Sequence, residues 1–479
     1  MFKKATTPLI IIFAGISIGF IVLLYNNHII KGELTKAKDT VDKAEQKLDD
    51  CSKECGVKFT TNVYPNFNID EKNSIKIGLN YPETGPYSIQ GLAQLRASMM
   101  AVNEINAKGG ILNKTVQLVI KDTISKPNIS SRNVQELIDD NGCKMIFGGS
   151  SSGVAIAGAE VAKSRKIIYF GTLTYSNATT KKDPDKNCTN ENDNSIMNNP
   201  YMFRECYNSW MGAKVLSNYL LRHYPDKKYF YITADYTWGH TTEASIRKYS
   251  KSSVTSLHKS ELTRFPGATQ EDFKKALEKA RKEKPDILVL VLFGKDMSTA
   301  LTLAYEMGLK KEVDVIIVPN LTLGMAKSAG PEIMEGVIGA LPWTWTIPFD
   351  KNFEKGKRFV KYFVDRYGAY PSTSAASAYN ILYQYKDAAE RVNSFASMNI
   401  IKALEGYSFI GLKDRQLWRT FDHQCIQTVY AVRCKAMKKA KYSGQKMNLA
   451  LDDYFEIIAE MTGEEAARSY KEWCYGMGE

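Results

Sequence analysis

Residues 74–122 decide the fold. They run Ser74-Ile75-Lys76-Ile77-Gly78-Leu79-Asn80, a turn at Thr84-Gly85-Pro86-Tyr87, a segment from Gln90 to Lys108, Gly109-Gly110-Ile111-Leu112-Asn113-Lys114, and Val116-Gln117-Leu118-Val119-Ile120-Lys121-Asp122. The first run has strand character and is bounded by turn chemistry. In the middle segment Leu92, Leu95, Met99, Val102 and Ile105 recur at helical spacing. Gly109-Gly110 ends that helix as a C-cap would. The third run alternates apolar and polar residues and is again a strand. The three together make a βαβ unit, the building block of parallel sheets.

Outward from this unit the chain keeps alternating. Strands are predicted at 144–148, 167–170, 228–233, 286–293 and 313–318, and helices at 154–164, 209–223, 241–250, 270–284, 296–307, 352–367 and 372–391. Asp286 to Phe293 is almost continuously apolar, as befits a parallel strand covered on both faces. Residues 176–200, rich in Asn, Asp, Lys and Thr, read as a surface insertion.

Several of these stretches carry a family resemblance. The Thr84-Gly85-Pro86-Tyr87 turn, the helix closing in Asn103-Glu104-Ile105-Asn106-Ala107-Lys108-Gly109-Gly110-Ile111, and the strand ending at Asp122 resemble the opening of a type I periplasmic binding protein. The branched-chain amino acid and amide branch of ABC-transporter receptors is the nearest group. Asp235-Tyr236-Thr237-Trp238-Gly239, Phe293-Gly294-Lys295-Asp296, Asp422-His423-Gln424 and the tail from Asp452-Asp453-Tyr454 to Cys474 resemble later elements of that group. The resemblance covers residues 75–479. It implies an α/β protein of two Rossmann-like lobes with parallel sheets, joined by three hinge strands near Phe203-Arg204-Glu205-Cys206, Pro319-Asn320 and Asp422–Cys425. Lobe 1 would comprise 75–203 and 320–424. Lobe 2 would comprise 204–319 and 425–445, and 446–479 would form a C-terminal helical extension.

In open α/β sheets ligands sit beyond the carboxyl ends of the strands. Tyr87, Ser150, Ser151, Ser152, Thr172 and Thr174 occupy such ends, and each offers a hydroxyl or N–H suited to a carboxylate or carbonyl oxygen. From the second lobe the resemblance implies Trp238 as an aromatic over the ligand and Asp296 as an acid against a ligand ammonium. The bland alternatives are core packing for Trp238 and an N-cap for Asp296. Tyr207 and Asn208, just past the first crossing, also face the expected cleft.

Gly149-Ser150-Ser151-Ser152-Gly153 fits G-x-S-x-G between a strand and a helix, the setting of a nucleophile elbow, and Asp296 and His423 complete a Ser, Asp, His order. The preferred reading is a Gly/Ser turn at a helix N-terminus that receives an anionic ligand group, so the chain is read as a binder and not as a serine hydrolase. The five histidines show no zinc spacing, and no phosphate-binding loop is present. No metal or cofactor is expected.

The chain has 479 residues and a formal net charge of +12. That length suits two domains with accessory segments. The densest basic cluster is Arg433, Lys435, Lys438, Lys439, Lys441 and Lys446, read as a solvated face or an attraction to an anionic membrane. No nucleic-acid signature accompanies it.

Lys3 and Lys4 precede an apolar run from Pro8 to Tyr25, long enough to approach a membrane span. Neither a cleavage site nor a lipobox cysteine follows. Residues 1–30 are therefore read as an uncleaved signal anchor, with Met1 in the cytoplasm and the bulk outside the cytoplasmic membrane. In 31–55, Leu34, Val41, Leu48 and Cys55 recur every seven residues, with Ala37, Ala44 and Cys51 between them. This is a helical stalk, either a lone spacer or a homodimeric coiled coil. Residues 56–74 read as a linker.

Eight cysteines in an exported chain suggest disulfides, whose pairing sequence does not give. Cys188 and Cys206 flank the insertion and are the first candidates. Cys206 and Cys425 compete, since their hinge strands should be adjacent. Cys425 with Cys434 needs a bend, and Cys143 reads as a buried thiol. Two functions remain: a receptor delivering a small molecule to an ABC permease, or a sensory or structural ectodomain acting with a partner membrane protein.

Overall fold

The computed structural model describes residues 73–436 and 452–475. The anchor, the stalk with Cys51 and Cys55, and nearly all of the linker lie outside the described residues, as do Lys438, Lys439, Lys441 and Lys446. The described residues form one compact unit.

The chain builds its first lobe from β1 (Ser74–Tyr81), α1 (Ser88–Ala107), β2 (Thr115–Asp122), α2 (Pro127–Asp139), β3 (Met145–Gly148), α3 (Ser152–Ser164), β4 (Ile168–Gly171) and β5 (Met202–Arg204). These strands form an all-parallel sheet in the order 2-1-3-4-5. The second lobe follows with α4 (Ser209–His223), β6 (Tyr229–Asp235), α5 (Thr237–Tyr249), β7 (Ser260–Arg264), α6 (Gln270–Glu283), β8 (Ile287–Val291), α7 (Gly294–Glu306), β9 (Val315–Val318), α8 (Leu323–Ala329) and β10 (Ile338–Leu341).

The parallel strands of this sheet run 7-6-8-9-10, the same winding as the first. All five residues of β8 are buried, which matches its continuous apolar run. Each large aliphatic side chain so buried contributes roughly 1.5–3 kcal/mol.

The chain then returns to the first lobe with α9 (Glu354–Tyr367), α10 (Thr373–Val392) and α11 (Ser397–Leu404), followed by a small antiparallel sheet of β11 (Ser408–Ile410), β12 (Arg415–Trp418) and β13 (Cys425–Ile426). α10 packs on α1, and Trp418 packs edge-on against Phe170 of β4 and Phe203 of β5. Finally β14 (Val429–Cys434) and β15 (Phe455–Met461) extend the second sheet antiparallel beyond β10, before α12 (Tyr470–Tyr475).

Three expectations are corrected here. β10 pairs with β9 and β14, so the second crossing follows Leu341 instead of lying at Pro319-Asn320. Cys425 and Ile426 belong to the small sheet of the first lobe, so the third crossing falls at Gln427-Thr428. The C-terminal segment is not purely helical, because β15 forms the outer strand of the second sheet. In each case a short apolar run found a partner that sequence spacing could not reveal. α2, α11 and the small sheet had no sequence reading at all.

The hinges are tied by buried polar groups. Arg204 bridges in parallel to Gln424, and its Nε donates to Gln424 Oε1 at 2.6 Å. Lys413 is buried, and its Nζ donates to the carbonyl of Pro342 on the second crossing (2.7 Å) and of Thr428 on the third (2.6 Å).

Candidate functional site

A 2-1-3-4-5 winding reverses direction between its first and third strands, and the crevice there is where such sheets bind ligands. This chain has two of these switch points, β1/β3 in the first lobe and β6/β8 in the second. The turns that leave them carry most of the residues expected from sequence.

In the first lobe, Gly148 and Gly149 leave β3 at φ of 129° and 75°. A Cβ on Gly148 would lie 2.2 Å from the Asn80 carbonyl oxygen, so the turn requires glycine. Ser150, Ser151 and Ser152 follow, all buried. Ser151 is the N-cap of α3, accepting from the Val154 N–H at 3.4 Å. Ser152 Oγ accepts from the Ser176 N–H at 3.0 Å. Ser150 Oγ is buried with no partner among the described residues. The first turn of α3 adds N–H groups without intrahelical acceptors.

Thr172 Oγ1 donates to Gln94 Oε1 (2.8 Å) or to the Gly148 carbonyl (3.0 Å). Thr174 Oγ1 is 2.5 Å from Thr179 Oγ1. Both hydroxyls are thus engaged inside the first lobe. Sequence reasoning missed two amides beside them. Gln94 Nε2 and Gln90 Oε1, one turn apart on α1, are buried and unpartnered. Their spacing at i and i+4, just after a strand-end turn, was the available signal.

In the second lobe, Trp238 lies in the first turn of α5 and is 2% exposed, its Nε1 unpartnered. It meets Phe293 edge-on at 6.0 Å, as Tyr175 does at 5.8 Å and Tyr87 at 5.3 Å. Phe265 stacks between Tyr87 (5.6 Å) and Tyr236 (4.2 Å). These rings form an aromatic wall, of which sequence had named only Tyr87 and Trp238.

Asp296 is not the cap of α7. Phe293 holds that position, and Asp296 sits in the first turn. Burial pushes its carboxyl up to about 6, while the neighbouring Lys295 ammonium lowers it. No hydrogen bond or ion pair reaches this carboxylate among the described residues. Its charge joins burial and the Tyr236 contact in holding the Tyr87 hydroxyl well above its ordinary value.

Tyr207 belongs to the hinge instead of the cleft. Its hydroxyl donates to the Ala340 carbonyl at 3.1 Å and accepts from Asn320 Nδ2 at 2.6 Å. Asn208 caps α4 through the Met211 N–H. The Cys188–Cys206 pairing is also corrected. Cys188 is bonded to Cys474, with Cα atoms 6.1 Å apart. Cys206, Cys425, Cys434 and Cys143 are buried free thiols.

The hydrolase constellation does not assemble. Ser151 Oγ caps a helix, whereas His423 stacks on Phe203 at 3.8 Å and its Nε2 lies 2.8 Å from Glu405 Oε1. Asp296 stands in the other lobe.

The lobes meet across this cleft. Tyr87 and Tyr236 hydroxyls are 3.0 Å apart, the Lys295 N–H donates to the Pro86 carbonyl at 3.3 Å, and Gln90 Nε2 donates to Thr322 Oγ1 at 3.4 Å. On one flank Ser176 meets Thr241 at 3.0 Å, and Asn177 donates to Ser245 at 3.0 Å.

Known proteins share this architecture. The chain resembles a periplasmic binding protein from Burkholderia mallei with a TM-score of 0.71 at 22% identity, over 84% of this chain and 99% of that one. It resembles LivJ of Streptococcus pneumoniae, a branched-chain amino acid transporter substrate-binding protein solved with isoleucine, with a TM-score of 0.63 at 21% identity, over 81% and 99% of the two chains. Among curated sequences, Leu/Ile/Val-binding protein BraC3 of Rhizobium johnstonii is 26% identical over 221 residues, 46% of this chain and 54% of that protein. Leu/Ile/Val-binding protein homolog 7 of Brucella abortus is 36% identical over 96 residues, 20% and 24% of the two chains. The chain thus spans about half or less of the curated relatives it matches. The profile of the periplasmic binding protein family matches residues 74–441, more than half of the chain, and the protein is a member of that family of ligand binders, which are not enzymes.

Proposed function

We propose that the protein captures a small polar organic molecule, an amino acid, amide or carboxylate, between its lobes and delivers it to an ABC permease. One observation carries this reading. Asp296, with no hydrogen bond or ion pair to its carboxylate among the described residues, stands in the turn leaving β8 at the second-lobe switch point, and the first-lobe switch point carries the unpartnered Ser150 Oγ and Gln94 Nε2 beside the α3 N-terminus. Such a pair suits a zwitterion, its ammonium toward Asp296 and its carboxylate toward Ser150. The aromatic wall would cover the remainder of the ligand, with Thr172 and Thr174 supporting the donor loop. The match to Leu/Ile/Val-binding proteins and the isoleucine complex of LivJ support an amino acid. The dihydroxybenzoate complex of a similar Rhodopseudomonas palustris protein supports an aromatic carboxylate as the competing class.

In this reading residues 1–30 anchor the protein in the cytoplasmic membrane with the lobes outside, and the stalk sets their height. No helix among the described residues is long and apolar enough to cross a membrane, so the anchor would be the Pro8–Tyr25 run. The same anchor and heptad stalk favour a second reading, a ligand-sensing ectodomain paired through the stalk with a membrane partner.

Native mass spectrometry of the full chain in detergent tests the first point. The expected result is a co-purifying mass that exchanges with added amino acids. Calorimetry showing no binding of any amino acid, amide or small carboxylate would defeat the reading.

A further inference from the structure

The segment after β15 leaves the second lobe and ends on the first. Its one-turn helix Gly463–Ala466 lies on α4, where Lys214 Nζ donates to the Glu465 carbonyl at 2.6 Å. The Arg468 guanidinium lies 4.3 Å over the Trp210 ring, also on α4. From there the chain crosses over. Arg419, beside the third crossing, donates to the Arg468 carbonyl at 2.6 Å. Trp473 donates its indole N–H to the Thr180 carbonyl at 2.9 Å. Trp473 and Cys474 complete a small core with Ile196 and Met197 of the insertion and Phe421, separate from the main core. The Cys188–Cys474 bond then fixes the end covalently.

The insertion belongs to the first lobe. It joins β4 to β5 and is fastened to that lobe through Asn199, which donates to the Ala159 carbonyl of α3 at 3.0 Å. It continues directly from the Thr172–Tyr175 turn after β4, and Arg204 of the first crossing donates to Thr180 Oγ1 at 2.9 Å. The C-terminal segment therefore makes a fourth link between lobes already joined by three crossings, and Trp473 and Cys474 sit on the piece of chain that connects the turn after β4 with the first crossing. A covalent link removes separated conformations that non-covalent contacts would allow, which is how a cross-link acts on any ensemble.

We infer that residues 462–475 are a strap, locked by the Cys188–Cys474 bond, that limits how far the lobes separate and so keeps the unliganded protein near closure. This inference rests on the reading that the lobes open and close. Its effect is on the open population, since the energy gap between open and closed states sets how much binding energy closure consumes.

The test needs no ligand, so it stands apart from any failure to find one. Spin labels are placed through non-natural amino acids at exposed Lys126 of the first lobe and exposed Gln270 of the second, in the full chain in detergent. Pulsed dipolar spectroscopy then gives the distance distribution. The wild-type protein should show a narrow distribution, and the Cys188→Ser/Cys474→Ser variant a broader one extending to longer distances. Identical distributions would overturn the strap. Should that variant misfold, wild-type protein reduced with a phosphine supplies the same comparison, provided its circular dichroism is native. Trp473→Ala with the bond intact should stay narrow, and broadening there to the width of the double variant would show that the covalent bond is not the lock.

Discussion

The hydroxyls of Tyr87 and Tyr236 lie 3.0 Å apart, one on the first turn of the first lobe and one at the end of β6 in the second. This pair joins the two lobes, and the Asp296 charge acts on both hydroxyls. Contact between lobes and the acid expected to recognise the ligand are thus one structural feature. A group that engages Asp296 will also act on the closure contact.

Closure has a steric limit at Gly294. It adopts φ of 61°, and a Cβ there would stand 2.6 Å from Tyr87 Cδ1 and 2.7 Å from the Pro86 carbonyl oxygen. Gly294→Ala should hold the lobes apart, weakening the closed state by about 1–3 kcal/mol, as overpacking does. X-ray scattering of wild type and variant should show a larger radius of gyration in the variant, and equal radii would contradict it.

Asp296 should make binding of an ammonium ligand pH-dependent. Its carboxyl is pushed up to about 6 by burial, and only the ionised form attracts a cation. Affinity should be level above pH 7 and fall towards about tenfold per pH unit well below 6. In the ligand-free protein the sign is opposite. From near 4 to near 6 the folded chain holds a proton the unfolded chain has released, so this group's contribution to stability falls as pH rises. Asp296→Asn should remove the pH dependence and most of the affinity, read by calorimetry.

Among the first-lobe hydroxyls, Ser150 should matter most for an anionic group. Ser150→Ala should weaken binding of a carboxylate ligand by about 1–3 kcal/mol, the cost of removing a partner from a buried charge. Thr174→Ala should act chiefly on the fold of the insertion, because its hydroxyl is engaged by Thr179. A larger affinity loss at Thr174 than at Ser150, with unchanged melting, would reverse this assignment.

Ser151 should not react with a serine-directed phosphonate. Its hydroxyl caps α3, and His423, the base the motif would need, is held by Phe203 and Glu405 at the hinge. Stoichiometric labelling lost in His423→Ala would disprove the binder reading.

Lys413 makes a prediction about stability. Burial lowers its ammonium from 10.5 to about 8. Between those values the unfolded chain keeps a proton the folded chain has lost, so this group's contribution to stability rises with pH across that window, by about 3 kcal/mol at most. The difference in unfolding free energy between wild type and Lys413→Met should therefore shift in favour of wild type from pH 7.5 to pH 10. A constant difference would show that Lys413 does not titrate there.

Local periodicity was enough for much of the molecule. α4 was legible end to end at 209–223, and α6 and α7 to within two residues, because a helix on a sheet must repeat its apolar face every three to four residues. The switch-point turns were legible for a related reason: only certain residues, glycine above all, suit a sharp exit from a strand. The sequence by itself therefore determined the alternation of strands and helices and the βαβ winding.

What the tertiary structure decided were choices among distant partners. Ile338–Leu341 is four apolar residues, and nothing local says which sheet takes them. Cys188 had several cysteines within reach of a plausible fold, and its mate lies 286 residues away on a tail whose path depends on β15 joining β14. Tyr207 looked like a ligand residue until the crossing segments supplied its hydroxyl with partners. Gln94 and Phe265 gained their places only when helix and strand ends converged. Such outcomes turn on long-range packing, where many pairings satisfy the same local pattern and only the complete set of buried contacts selects one.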